Sequence, residues 1–83
     1  MKFHLEPVNH DKISDLCGPT NSILKQIEEE LGIKILNRGA SFRIKGETSS
    51  AKIAKNIILR IYDDLEENKT ISSEEVHLYL RKG

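Results

Sequence analysis

Residues 16–35 read LCGPTNSILKQIEEELGIKI and predict a tight turn, an amphipathic helix and a strand, in that order. Gly18 can end a preceding helix, because glycine enters left-handed backbone geometry without a side-chain clash. Pro19 has no backbone donor and suits the first turn of a new helix. Thr20 or Asn21 can cap that helix through a side-chain oxygen.

The helix in this stretch has one apolar face and one polar face. Its apolar positions recur with helical spacing, and Lys, Gln and Glu side chains fill the opposite side. These apolar positions are Ile23, Leu24, Ile27 and Leu31. Gly32 ends the helix, and Ile33-Lys34-Ile35 begins an alternating strand. The unit is therefore predicted as helix, turn, helix, strand.

Two more strands and a short first helix are predicted around this unit. Alternation over residues 2–6 indicates the first strand, with its aromatic and aliphatic side chains on one side. Asn9 can cap a helix that runs to about Cys17. Residues 37–40, Asn-Arg-Gly-Ala, have the composition of a hairpin turn, and residues 41–45 alternate again.

Two helices follow the hairpin. The longer one begins at Thr48 or Ser49, and its predicted buried stripe is Ala51, Ala54, Ile57, Ile58, Ile61 and Leu65. A last helix, to about Arg81, starts with a capping box formed by Ser72 and Glu75. The order β-α-α-β-β-α plus a C-terminal helix predicts an α+β fold. In it, helices cover one face of a three-stranded antiparallel sheet.

Length and composition narrow the range of functions that this chain can have. The 83 residues make one small domain, and a single cysteine, Cys17, excludes an internal disulfide. Lys+Arg 13 balances Asp+Glu 13, which argues against a bulk electrostatic nucleic-acid binder but allows a local basic groove. No apolar run approaches the length of a membrane span, so we expect a cytoplasmic domain with no membrane partner.

Helix, glycine turn, helix and strand in this order resemble the core of a KH domain, a module that binds single-stranded nucleic acid. Gly18 matches the first glycine of the family's GxxG loop, and Gly32-Ile33-Lys34-Ile35 matches its closing segment. Asn21 stands in place of the second loop glycine, and asparagine tolerates left-handed geometry better than most residues. The resemblance implies a KH-like fold.

A narrower resemblance covers nearly the whole chain. Residues 16–19, 27–33 and 72–81 are similar to the N-terminal KH-like domain of PhoH-family proteins. In that family the domain precedes a P-loop ATPase domain implicated in RNA metabolism. No G-x-x-x-x-G-K-[ST] sequence occurs in this chain. We therefore expect residues 1–83 to be a single KH-like domain from a longer ATP-binding protein, without its ATPase domain.

The resemblance also implies a groove for single-stranded RNA beside the turn. In KH domains the loop clamps roughly four nucleotides by their backbone. Carried onto this chain, the turn meets phosphate or sugar, cations pair with phosphates and two isoleucines form the floor. The residues so assigned are Gly18, Pro19, Thr20, Asn21, Ile23, Lys25, Lys34, Ile35, Arg38 and Arg43, with Lys45 as an alternative to Arg43. For each single cation, an ordinary solvated position is the competing interpretation.

Catalysis and metal binding have no support in the sequence. No nucleophile or acid–base motif is recognisable, so we expect no enzymatic activity and no cofactor in this domain. The spacings of His4, His10, His77 and Cys17 match no common zinc pattern, so no metal site is expected.

The rival function is protein interaction. Val76, Tyr79 and Leu80 form a stripe on the last helix, and Tyr62 lies off the main stripe of the long helix. If these side chains complete the core, they carry no function. If they are exposed, they can dock onto the ATPase domain or a neighbouring subunit of the full-length protein, and the turn is vestigial.

Overall fold

The computed structural model describes residues 1–6, 8–17, 21–65 and 73–82. Within them the chain forms, in order, β1 (Lys2–His4), α1 (His10–Cys17), α2 (Ser22–Leu31), β2 (Lys34–Arg38), β3 (Ser41–Lys45), α3 (Thr48–Asp64) and α4 (Ser73–Lys82). The sheet order is β1-β3-β2, and both neighbouring pairs are antiparallel. The α+β layout predicted from the sequence is confirmed.

The sheet has one covered face and one open face, because successive strand side chains point to opposite sides. Phe3, Ile35, Phe42 and Ile44 point inward and are buried, and α2 and α3 contact the sheet on this side. The rings of Phe3 and Phe42 stack with their centroids 5.5 Å apart. We call the opposite surface the open sheet face; its residues are Lys2, His4, Lys34, Leu36, Arg38, Ser41, Arg43 and Lys45.

The helices bury most of the faces that their periodicity predicts, with one addition; the exception is Leu31 of α2, which is only partly buried. All six residues of the predicted α3 stripe are buried, as are Ile23, Leu24 and Ile27 of α2. The sequence places Tyr62 off the stripe, but its side chain is only 2% exposed. Its hydroxyl accepts a hydrogen bond from the Asn9 backbone N–H at 3.0 Å. Because the Asn9 backbone satisfies the hydroxyl, the tyrosine can be buried although it lies beside the stripe that the sequence predicts.

The helix ends follow the prediction at two positions and differ at a third. Asn9 caps α1, since its side-chain oxygen accepts from the Lys12 N–H at 3.1 Å, and left-handed Gly32 ends α2. Asn21 precedes α2 with φ 59° and makes no side-chain cap bond. The prediction that its side chain caps the helix is wrong, because such a cap needs an extended backbone at that residue. Thr20, the other predicted cap, lies outside the described residues.

The last helix belongs partly to the core. Val76 is fully buried, and the Tyr79 hydroxyl donates to Asp64 Oδ2 of α3 at 2.6 Å. Burial, together with this hydrogen bond and the negative charge of Asp64, raises the pKa of Tyr79 to about 12.

The predicted capping residue Ser72 lies outside the described residues. Of the helices that the structure describes, none combines the length and the apolar content needed to cross a membrane.

Gly46, which follows β3, provides a first test of the packing. It has φ 149°, and an added Cβ would lie 2.7 Å from Ile33 Cγ2. We therefore expect Gly46→Ala to lower the free energy of unfolding by about 2 kcal/mol, through backbone strain and overpacking. Gly32→Ala is the control: φ is 64°, but nothing lies within 4 Å of the added Cβ, so we expect only about 1 kcal/mol. Equal losses in urea denaturation would contradict the predicted contact with Ile33.

Candidate nucleic-acid interface

The residues that the resemblance assigned to one groove lie in different environments. Gly18, Pro19 and Thr20 lie outside the described residues, and exposed Asn21 has left-handed backbone geometry. Lys25 is exposed on α2. Ile23 and Ile35, assigned as the groove floor, are 4% and 7% exposed and belong to the hydrophobic core. Lys34, Arg38 and Arg43 instead lie together on the open sheet face.

A carboxylate occupies the edge of the predicted groove between α2 and β2. Glu28 Oε2 accepts a hydrogen bond from the Ile35 backbone N–H at 2.7 Å. This contact satisfies a donor at the edge of β2 that an approaching ligand would otherwise meet. It also places a negative charge beside the position assigned to RNA bases, where it repels phosphate. The local charge therefore favours another surface for a polyanion.

The open sheet face concentrates the basic charge of this neutral chain. The three strands contain five of the 13 Lys and Arg residues and none of the 13 Asp and Glu residues. The rest of the chain thus carries eight basic side chains against all 13 acidic ones. The five cations are Lys2, Lys34, Arg38, Arg43 and Lys45, and all are exposed. The nearest acidic residues in sequence, Glu6 and Glu47, follow the ends of strands. Zero net charge therefore conceals a separation of charge between the sheet and the helices.

The strand register places like charges directly opposite each other on this face. Lys34 pairs with Lys45, and Lys2 pairs with Arg43. Side chains at such positions have Cβ atoms roughly 4.5–5.5 Å apart, and like charges there destabilise a sheet. Within the part of the chain that the structure describes, no carboxylate forms an ion pair with any of these four. An unfavourable arrangement of this kind is typical of a surface that serves an anionic ligand.

An open depression lies on the same face, around its one apolar side chain. Leu36 is 42% exposed and lies directly opposite Arg43. The depression has a volume of about 530 Å³ and is lined by both residues together with Lys2, His4, Asn37, Arg38, Ser41 and Phe42. His4 Nε2 and Ser41 Oγ are hydrogen-bonded across β1 and β3 at 3.0 Å. The face thus combines cations, two hydrogen-bonding side chains and an apolar contact.

Local sequence patterns indicate only part of this surface. Lys2, His4 and Leu36 were not assigned to it, and Arg38 was placed in the hairpin turn, whereas it ends β2. The alternation of each strand indicated which side chains share a face. Their assembly into one surface depends on the pairing of β1 with β3, which joins residues about 40 positions apart. A local pattern carries no information about that pairing.

The described residues give no support for a reactive cysteine or for a metal site. Burial raises the pKa of the Cys17 thiol, so the thiol stays protonated at neutral pH and is a weak nucleophile. Among the described residues, no group of three His, Cys, Asp or Glu side chains is arranged to hold a metal ion.

Comparison of the chain with protein-family models finds no match, and comparison with solved structures finds none either. The similarity to KH domains and to PhoH-family proteins therefore stays a prediction from the sequence.

Proposed function

We propose that this domain binds single-stranded RNA weakly and with low sequence specificity. Its proposed setting is the one that the sequence resemblance implies, as a KH-like accessory domain of a cytoplasmic PhoH-like ATP-binding protein. There it would hold RNA next to the ATPase domain. The observation that supports RNA binding most directly is the open sheet face, with five exposed cations and no acidic residue in its strands.

The chemistry of this face fits weak, unselective binding. Lys and Arg side chains contact phosphates, which position a strand without reading its sequence. An extended strand rises about 3.3 Å per residue, so Lys34 and Arg38 lie roughly 13 Å apart on β2. A patch of this length spans only a few nucleotides. The open sheet face also has no Phe, Tyr or Trp, the side chains that give the strongest base stacking.

The salt dependence of binding tests this proposal. For three to five neutralised phosphates, we expect log Kd to rise with log[salt] with a slope of about 2 to 3.5. The measurement is fluorescence anisotropy of a labelled 12-nucleotide RNA at several salt concentrations. The variant Lys52→Glu, which changes an exposed cation on α3, should keep the slope. Binding that is absent at millimolar protein, or insensitive to salt, would refute the proposal.

A second candidate function is protein interaction through α4. Leu78 is 55% exposed, with Glu74, His77 and Arg81 around it. Of the stripe predicted from the sequence, Val76 is buried and Tyr79 and Leu80 pack partly against the core, so the exposed Leu78 lies outside that stripe. If this function applies, Leu78→Glu weakens association with the ATPase domain and leaves RNA affinity unchanged. Size-exclusion chromatography of residues 1–83, wild type or variant, mixed with a separately produced ATPase domain distinguishes the two candidates.

A further inference from the structure

We infer that the depression beside Leu36 holds one unstacked base of the bound RNA strand. This inference rests on the proposed function, because it assigns a subsite within the same open sheet face. Phosphate contacts alone need only cations. Leu36, exposed beside the depression and among five cations, offers an apolar contact that phosphates do not use, and a nucleobase is the part of RNA with an apolar surface.

The neighbours of Leu36 suit the two faces of a base. Arg38 follows two residues later on the same side of β2, roughly 6.6 Å away by strand geometry. That spacing is about twice the distance of ~3.4 Å between stacked bases. A base can therefore lie between the leucine side chain and the guanidinium plane of Arg38. Arginine planes are established stacking partners for single-stranded bases.

The edge of such a base meets polar groups. Arg43, directly opposite Leu36, provides a second guanidinium. His4 and Ser41, hydrogen-bonded to each other, line the same depression and offer exchangeable donors and acceptors. A volume of about 530 Å³ is within the range of roughly 300–1,000 Å³ that small-molecule sites occupy. Because the hydroxyl and the imidazole can each donate or accept, we expect the subsite to take different bases.

The test compares two ligands with two leucine variants. The ligands are a 12-nucleotide oligoadenylate and an oligomer of equal length built from abasic ribose-phosphate units. Leu36→Ala should weaken oligoadenylate binding about fivefold and leave abasic binding unchanged, because only the intact oligomer has bases to stack. Leu78→Ala is the matched control, since Leu78 is also exposed but lies on α4. It should change neither affinity.

The outcomes separate this inference from the proposed function. If the wild type binds RNA but Leu36→Ala loses no affinity, or loses it equally for both ligands, the base subsite is refuted while RNA binding stands. If the wild type binds oligoadenylate no better than the abasic oligomer, the subsite is refuted as well. If neither ligand binds at low salt, the proposed function fails and the subsite fails with it.

Discussion

The double variant Lys34→Glu/Arg43→Glu should bind single-stranded RNA about 30-fold more weakly than the wild type at low salt. The variant loses two phosphate contacts and gains two charge repulsions, which together weaken the binding free energy by ~2 kcal/mol. Both side chains are exposed on the open sheet face, so anisotropy titration of the folded protein measures the change directly. The slope of log Kd against log[salt] should fall by about 1.4, or about 0.7 for each phosphate contact that is lost.

The same substitutions should leave the fold intact or make it more stable. In the variant, the carboxylate introduced at position 34 would face Lys45, and the one introduced at position 43 would face Lys2. Both like-charge pairs therefore become opposite-charge pairs, which contribute roughly 0.2–1 kcal/mol each across a pair of strands. Lower affinity with an equal or higher melting temperature would mean that the wild-type charges serve binding at the expense of stability.

The control for this variant is Lys25→Glu/Lys52→Glu. It changes the net charge by the same amount, at two exposed positions on helices. Lys25 is also the cation that the sequence assigned to the groove beside the turn. We expect this control to lose less than about threefold in affinity, which is about 0.7 kcal/mol. A large loss in the control, with none in the sheet variant, would move the binding site to the groove and contradict the assignment to the sheet.

Phe42→Ala should be the most destabilising substitution on the sheet, lowering the free energy of unfolding by about 3–5 kcal/mol. The side chain is 2% exposed and stacks on Phe3, so its removal leaves a cavity between β1 and β3. A domain of this size buries little apolar area in total, and the variant should therefore be largely unfolded at moderate urea concentrations. Urea denaturation followed by circular dichroism measures the loss.

Leu36→Ala is the matched control for Phe42→Ala. Leu36 is an apolar residue on the adjacent strand, but its side chain lies on the open sheet face and is 42% exposed. Surface substitutions of this kind change stability by at most about 0.5 kcal/mol. Similar losses in the two variants would mean that both faces of the sheet are covered, and the open sheet face would then not be available to RNA.

Much of the fold could be predicted from the sequence, because its elements have clear local signals. The third strand, the end of α2 at Gly32 and the buried stripe of α3 each appear in the structure where the pattern indicates them. The first strand is shorter than predicted, since β1 ends at His4 and not at residue 6. The misjudged residues depend on distant contacts or on backbone geometry. Tyr62 is buried because Asn9, 53 positions away, provides a donor for its hydroxyl. At Asn21 the sequence allowed a side-chain cap and also left-handed geometry, and the structure has the left-handed geometry without the cap.

The open sheet face could not be predicted from local patterns, for a related reason. Lys34, Arg38 and Arg43 were identified as cations of interest, but sequence similarity assigned them to a groove beside the turn. Which surface they share depends on the strand register and on the face that the helices cover, and neither follows from a local pattern. Nothing in the sequence indicated that Leu36 is exposed, because a leucine within an alternating strand normally predicts burial.

Amide NMR of the labelled domain, titrated with a short single-stranded RNA at low and high salt, is the most direct test that the open sheet face binds RNA. We expect shifts at Lys34, Leu36, Arg38, Arg43 and Lys45 that fade as salt is added. Shifts confined to Asn21, Lys25 and the rest of α2 would place RNA in the groove instead. No shifts at millimolar RNA would contradict RNA binding altogether.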